Sequence, residues 1–159
     1  MRLALDTSAL IEVTRGRRPE YRDCLDRARR AGDDIRLSSV SLHELLYGAL
    51  RSLRPDYHLQ TVETLVADFE VDSWTPRDAL VAAQVRRDLE RSGRPIGPLD
   101  TMIAAHAIRC EAVLVTCNLR HFARIAVLTD ALRLIDWTIS DQPLDRPALI
   151  ASLRRPQEE

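Results

Sequence analysis

With 159 residues the chain has the length of one domain, and 45% hydrophobic residues are enough to bury a core. A charged fraction of 30%, and the lack of any apolar run approaching the ~18 residues of a spanning helix, exclude a membrane protein. A net charge of −1 offers no global basic field, and Asp6 interrupts any N-terminal signal-peptide core, so a cytoplasmic protein is expected. All 23 basic residues are arginine, which removes chemistry that needs a lysine and favours forked contacts to carboxylate or phosphate. Cys24, Cys110 and Cys117 are odd in number and lack C-x-x-C spacing; buried, reduced thiols are expected rather than disulfides or a zinc site.

The first element is a short apolar strand, Leu3-Ala4-Leu5, ending on Asp6. Thr7 or Ser8 is the expected N-cap of a helix from Ala9 to about Thr14, closed near Gly16. Pro19 or Glu20 opens a second helix with Tyr21, Cys24, Leu25 and Ala28 on its apolar face, and Ile35–Val40 reads as a second strand. Ser41-Leu42-His43-Glu44 has the S-x-x-E form of a capping box, opening a helix through Tyr47 and Leu50. Pro55 breaks that pattern, and a further helix from Tyr57 to about Ala67 buries Leu59, Val62, Leu65 and Val66. Phe69–Val71 is a third strand. Thr75-Pro76 starts a helix that Gly93 ends. After a proline-rich turn, Leu99–Ile108 is a helix apolar nearly all round, as expected of one packed between layers. Ala112–Thr116 is a continuous apolar strand of parallel-sheet type, and Leu132–Ile135 is the last strand.

This alternation predicts an α/β domain with a mainly parallel sheet, spanning residues 1–137. Residues 138–159 form a polar, proline-punctuated C-terminal extension of unassigned role, with a short helix near Ala148–Leu153.

Four polar positions then fall on one rim. Asp6 ends the first strand, Glu44 lies at the start of the helix after the second, and Asn118 follows the fourth. Asp100 begins a helix that runs antiparallel to that strand, so its N-terminus lies at the same carboxyl edge, where α/β sheets bind ligands. Each acid has a modest alternative: Asp6 as a helix N-cap, since acids after strands are common, Glu44 as half of a capping box, Asp100 as a favourable charge at a helix start. Together, three carboxylates and a carboxamide repel one another unless a cation sits among them. All-oxygen ligation completed by water and phosphate is magnesium or manganese chemistry, suited to metal-assisted attack of water on a phosphodiester.

LALDTSALIE, SxxxHELLYGA, GPLDTMIAAHA and LVTCNLRHF, in this order and spacing, resemble a PIN-domain ribonuclease of the VapC toxin type over residues 1–137. The resemblance implies a three-layer α/β/α fold and a magnesium- or manganese-dependent endoribonuclease. It further implies a bacterial type II toxin–antitoxin pair, with a cognate antitoxin that blocks the site and a homodimer. By position, Asp6, Glu44 and Asp100 correspond to the catalytic, metal-binding acids, and Thr7, Ser8 and Thr116 to polar supports. Asn118 departs from the pattern, since many relatives carry aspartate there; it offers a carbonyl oxygen but one charge fewer, which bears on a second metal.

Arg120, His121 and Arg124 follow Asn118 in what reads as a loop and are candidates for RNA phosphate contacts, against the alternative of a solvated rim. For His43, His106 and His121 a structural hydrogen bond is expected rather than catalysis. Leu42, Leu45, Leu46 and Tyr47, with the following helix, offer apolar surface where the family places its antitoxin groove. The principal alternative is a catalytically silent PIN-like module that binds RNA or protein. A phosphotransfer domain of receiver or haloacid-dehalogenase type is disfavoured, because Ser8 stands where its second acid belongs and lysine is absent.

Overall fold

The computed structural model describes residues 1–154; residues 155–159, the end of the C-terminal extension, lie outside the described residues. Five short strands, β1 (Arg2–Leu5), β2 (Asp34–Ser38), β3 (Glu70–Asp72), β4 (Val113–Val115) and β5 (Arg133–Ile135), form one sheet in the order β3-β2-β1-β4-β5. Every pairing is parallel, with Leu5 level with Leu37 on one side and Val115 on the other. The chain winds outward from β1 in one direction and returns through β4 to wind in the other. The carboxyl ends of β1 and β4 therefore flank a topological switch point, where such sheets open a crevice.

Side-chain alternation fills both faces. Leu3, Leu5, Val113, Val115 and Ile135 pack on one side with α1 (Thr7–Arg15), α2 (Pro19–Arg30), α3 (Ser39–Leu50) and α4 (Pro55–Val66). Ala4, Leu114 and Leu134 pack on the other with α5 (Pro76–Arg91), α6 (Pro98–Arg109), α7 (Leu119–Ala126) and α8 (Arg146–Arg154). The result is the three-layer α/β/α arrangement, with strands apolar on both faces. α8 belongs to the second layer: Leu149 is buried there, and Arg146 donates to the Val127 carbonyl at 3.0 Å.

Three local expectations are corrected. The helix after β1 begins at Thr7, with Asp6 rather than Thr7 or Ser8 at the N-cap. The hydroxyls of Thr7 and Ser8 are drawn instead to carboxylates, as described below. The capping box expected at Ser41–Glu44 does not form. The chain enters α3 directly from β2, so Ser38 is the N-cap and accepts from the Ser41 N–H at 2.9 Å. That releases Glu44 from any capping role. Finally, the stretch after Asn118 is helical: Leu119, Phe122, Ala123 and Ile125 supply the spacing that buries one face of α7.

Candidate active site

The carboxyl edge gathers the acids as the strand order requires. Asp6 emerges from β1 with its backbone N–H donating to the Val115 carbonyl at 3.0 Å, which ties it to β4. Its side chain is only 3% exposed. Asp6 Oδ2 accepts from Thr116 Oγ1 at 2.7 Å and from Ser8 Oγ at 2.5 Å, and the two hydroxyls lie 3.2 Å apart. The backbone extends this network, as the Cys117 N–H donates to Ser8 Oγ and the Asn118 N–H to Thr116 Oγ1.

Glu44 reaches the pocket from the second turn of α3, where Thr7 Oγ1 donates to its Oε2 at 2.5 Å. Asp100, in the first turn of α6, has Oδ2 against His121 Nδ1 at 2.8 Å. The Asn118 side chain meets the same ring nitrogen at 3.0 Å. Each of the three acids thus has one oxygen held by a side chain. The other oxygen (Asp6 Oδ1, Glu44 Oε1, Asp100 Oδ1) accepts no hydrogen bond among the described residues.

The electrostatics match this geometry. Burial pushes the Asp6 carboxyl above its ordinary value; the Ser8 and Thr116 hydroxyls pull it back, and the charges of Asp100 and Glu44 push it up again. No basic side chain is among the main influences on Asp6, and none forms an ion pair with it among the described residues. Glu12 Oε2, on the helix that Asp6 caps, is buried without a partner among the described residues.

A hard divalent cation fits such a donor set. Among the described residues, the acids do not come within 4.8 Å of one another as a trio; the only group that does is Asp72, His106 and Cys110. Wider spacing suits magnesium, which takes one or two carboxylates directly and keeps several waters. Asp6 and Asp100 would hold the ion, Glu44 would bind it directly or through water, and Asn118, whose amide nitrogen meets His121, would offer its carbonyl oxygen.

The remaining candidates separate. Thr7, Ser8 and Thr116 lie in the pocket, each bonded to an acid. His121 faces inward to Asp100. Arg120 and Arg124 line a groove of about 800 Å³ with Arg94, Arg146 and Arg154, and Arg124 also donates to the Pro95 carbonyl at 2.8 Å. Two polar features carried no signal in the sequence. Asp136, after β5, is buried and accepts from Tyr21 Oη at 3.0 Å. Asp78 is fully buried beside His106 and Arg109. Each also bonds a near neighbour, Thr138 and Thr75, but the partners Tyr21 and His106 lie 115 and 28 residues away, beyond any local motif.

A parallel α/β/α fold with acids gathered at its switch point defines a class of phosphodiester hydrolases. The comparisons with known proteins give the family. The PIN domain model matches residues 3–128. The tRNA(fMet)-specific endonuclease VapC of Salmonella typhimurium is 43% identical over 101 residues, covering 64% of this chain and 74% of that protein. Ribonuclease VapC2 of Haemophilus influenzae is 31% identical over 137 residues, covering 86% and 98%. In three dimensions, a chain of the DNA-bound VapBC complex of Salmonella typhimurium superimposes with a TM-score of 0.76 at 35% identity, covering 86% of this chain and 98% of that one. A chain of VapBC2 from Rickettsia felis, bound to a promoter DNA fragment, gives 0.78 at 27% identity, covering 86% and 99%. The chain belongs to the PIN-domain family, among the VapC-type ribonucleases.

Proposed function

We propose that this protein is a divalent-metal-dependent endoribonuclease and the toxin of a toxin–antitoxin pair. The observation that carries the reading is the set of three carboxylates at the switch point, each held through one oxygen, with no basic side chain to neutralise Asp6. A bound magnesium or manganese ion supplies a water of lowered pKa and neutralises charge developing on the phosphoryl oxygens. Asp6 and Asp100 position that ion. Thr7 fixes the Glu44 carboxylate, whose free oxygen is placed to orient the attacking water or take its proton. His121 holds Asp100 in place.

The groove carrying Arg120 and Arg124 continues from the α7 turn that touches Asp100, and forked guanidinium groups suit phosphate oxygens. RNA is proposed to lie along it with its scissile phosphate at the acids. An antitoxin segment is proposed to occupy a second groove, about 450 Å³, lined by Ile11, Leu45, Tyr57, Val62 and Leu65. Glu44 stands at its wall, so an occupant of this groove reaches the acids. Nearby, Tyr47, Leu50 and Leu53 are exposed apolar side chains that such a partner would cover. The homodimer implied by the family is part of the same proposal, and sedimentation tests it. No described helix is long and apolar enough to cross a membrane.

The test is cleavage of RNA by the purified chain, with transfer RNA as the first substrate because one relative is a tRNA(fMet)-specific endonuclease. Internal cuts with magnesium or manganese that EDTA abolishes support the reading. RNA binding without cleavage under all metal conditions would make the protein a silent PIN-like module.

A further inference from the structure

On the opposite side of the sheet from the apolar groove, three donor atoms of different chemistry converge. Asp72 is the last residue of the edge strand β3, while His106 and Cys110 lie one turn apart at the end of α6. His106 Nε2 is 3.5 Å from Asp72 Oδ2 and 3.6 Å from Cys110 Sγ, and Sγ is 4.0 Å from Oδ2. The N···O gap exceeds the 2.7–3.2 Å of a good N–H···O hydrogen bond. A tetrahedral zinc ion, with bonds of about 2.0–2.1 Å to N and O and 2.3 Å to S, has edges of about 3.4 Å and 3.6 Å. The observed triangle is therefore close to three vertices of such a site.

The surroundings hold the triangle in place. His106 is 1% exposed, and its other nitrogen, Nδ1, lies 3.2 Å from Asp78 Oδ1. Zinc at Nε2 would select the tautomer with its hydrogen on Nδ1, directed to that carboxylate, the carboxylate–histidine arrangement that orients metal-bound imidazoles. Asp78 is neutralised by Arg109 Nε at 2.8 Å, and Arg109 Nη2 lies 3.2 Å from Nδ1. Arg36 pairs with Asp72 through the other carboxylate oxygen, Oδ1, and so leaves Oδ2 toward the site. Asp72 and Cys110 are only partly buried, which leaves a fourth position open to solvent.

We propose that Asp72, His106 and Cys110 bind a zinc ion, separately from the acidic pocket. Imidazole, thiolate and carboxylate together select zinc over magnesium, and the carboxylate and thiolate balance its charge. Binding converts the Cys110 Sγ–H to a metal-bound thiolate and releases one proton to solvent. The ion would clamp α6, the helix that begins with Asp100, to the edge of the sheet. Spacing in the sequence hid this site, because Asp72 lies 34 and 38 residues before the other two ligands and no pair of cysteines is involved.

Cobalt(II) is the optical probe for such a site. After chelation and gel filtration, the full chain is titrated with cobalt in its wild-type form and as Asp6→Asn, Cys110→Ser, Cys117→Ser and Asp72→Asn. The expected result is a near-ultraviolet thiolate-to-cobalt band that saturates at one equivalent and is displaced by zinc. It persists in Asp6→Asn and Cys117→Ser, disappears in Cys110→Ser, and needs about tenfold or more cobalt in Asp72→Asn. Circular dichroism checks that each variant is folded. Absence of the band in the wild type, or its survival in folded Cys110→Ser, overturns the proposal, and neither outcome depends on RNA cleavage.

Discussion

Asp6 and Asp78 are both buried aspartates at the starts of helices, yet the protein treats them oppositely. Burial raises Asp6, and the neighbouring acids add to the effect after the Ser8 and Thr116 hydroxyls have partly offset it. Burial also pushes Asp78 up, but there the Arg109 guanidinium and the Thr75 hydroxyl and N–H more than reverse it, and the carboxyl ends below its ordinary value. Asp78 also completes a capping box with Thr75 on α5. The difference teaches how to tell a structural acid from a functional one. Asp78 is neutralised from within the chain, whereas Asp6 is oriented by neutral hydroxyls and left needing a charge from outside.

The contrast breaks most severely if Asp78 loses its counter-ion. Arg109→Met leaves a buried carboxylate unpaired and is expected to cost roughly 3 kcal/mol of stability at neutral pH, the low end for such a loss. Urea unfolding across pH gives the sign. In the wild type the Asp78 contribution is present above its unfolded pKa, near 3.8, and is lost as pH falls through the lower folded value. The variant's deficit therefore shrinks in acid. Asp6 bends the curve the other way: its folded pKa lies above 3.8, so its ionisation costs stability as pH rises from there through the folded value. Without metal, Asp6→Asn is expected to remove that fall. A variant that tracks the wild type across this window would show that Asp6 is not held under charge stress.

Glu44→Gln comes next in size. Since Ser38, not Ser41, caps α3, the substitution removes no cap, and the melting temperature without metal is expected to stay near wild type. RNA cleavage is expected to fall by at least ~100-fold, typical of losing one charged catalytic group. Near-normal cleavage by the folded variant would remove Glu44 from the site. The smallest effect is assigned to Thr75→Ala, which weakens the capping box around Asp78: about 1 kcal/mol of stability, with cleavage unchanged.

Much of this was legible in the sequence because it is written locally. The alternation of strands and helices predicted an α/β domain with a parallel sheet, and an antiparallel return helix placed Asp100 on the rim with Asp6, Glu44 and Asn118. What escaped depends on contacts across the chain. The S-x-x-E pattern at Ser41 was a true local signal overridden by where β2 ends, since Ser38 turned straight into the helix. α7 is only eight residues long and follows the Asn118 turn, so its period was short enough to pass for a loop. His121 looked like a rim residue until α7 coiled it toward Asp100. The pairing of Asp78 with Arg109, 31 residues on, has no sequence signature at all.

The central claim, that the carboxyl edge is built to take a divalent cation through Asp6, is tested most directly by calorimetry of the wild type and Asp6→Asn with and without millimolar magnesium. Binding to the folded state alone raises the melting temperature by mass action. The account predicts a magnesium-dependent rise in the wild type and loss of most of that rise in Asp6→Asn. No shift in the wild type, or an equal shift in both proteins, would contradict it.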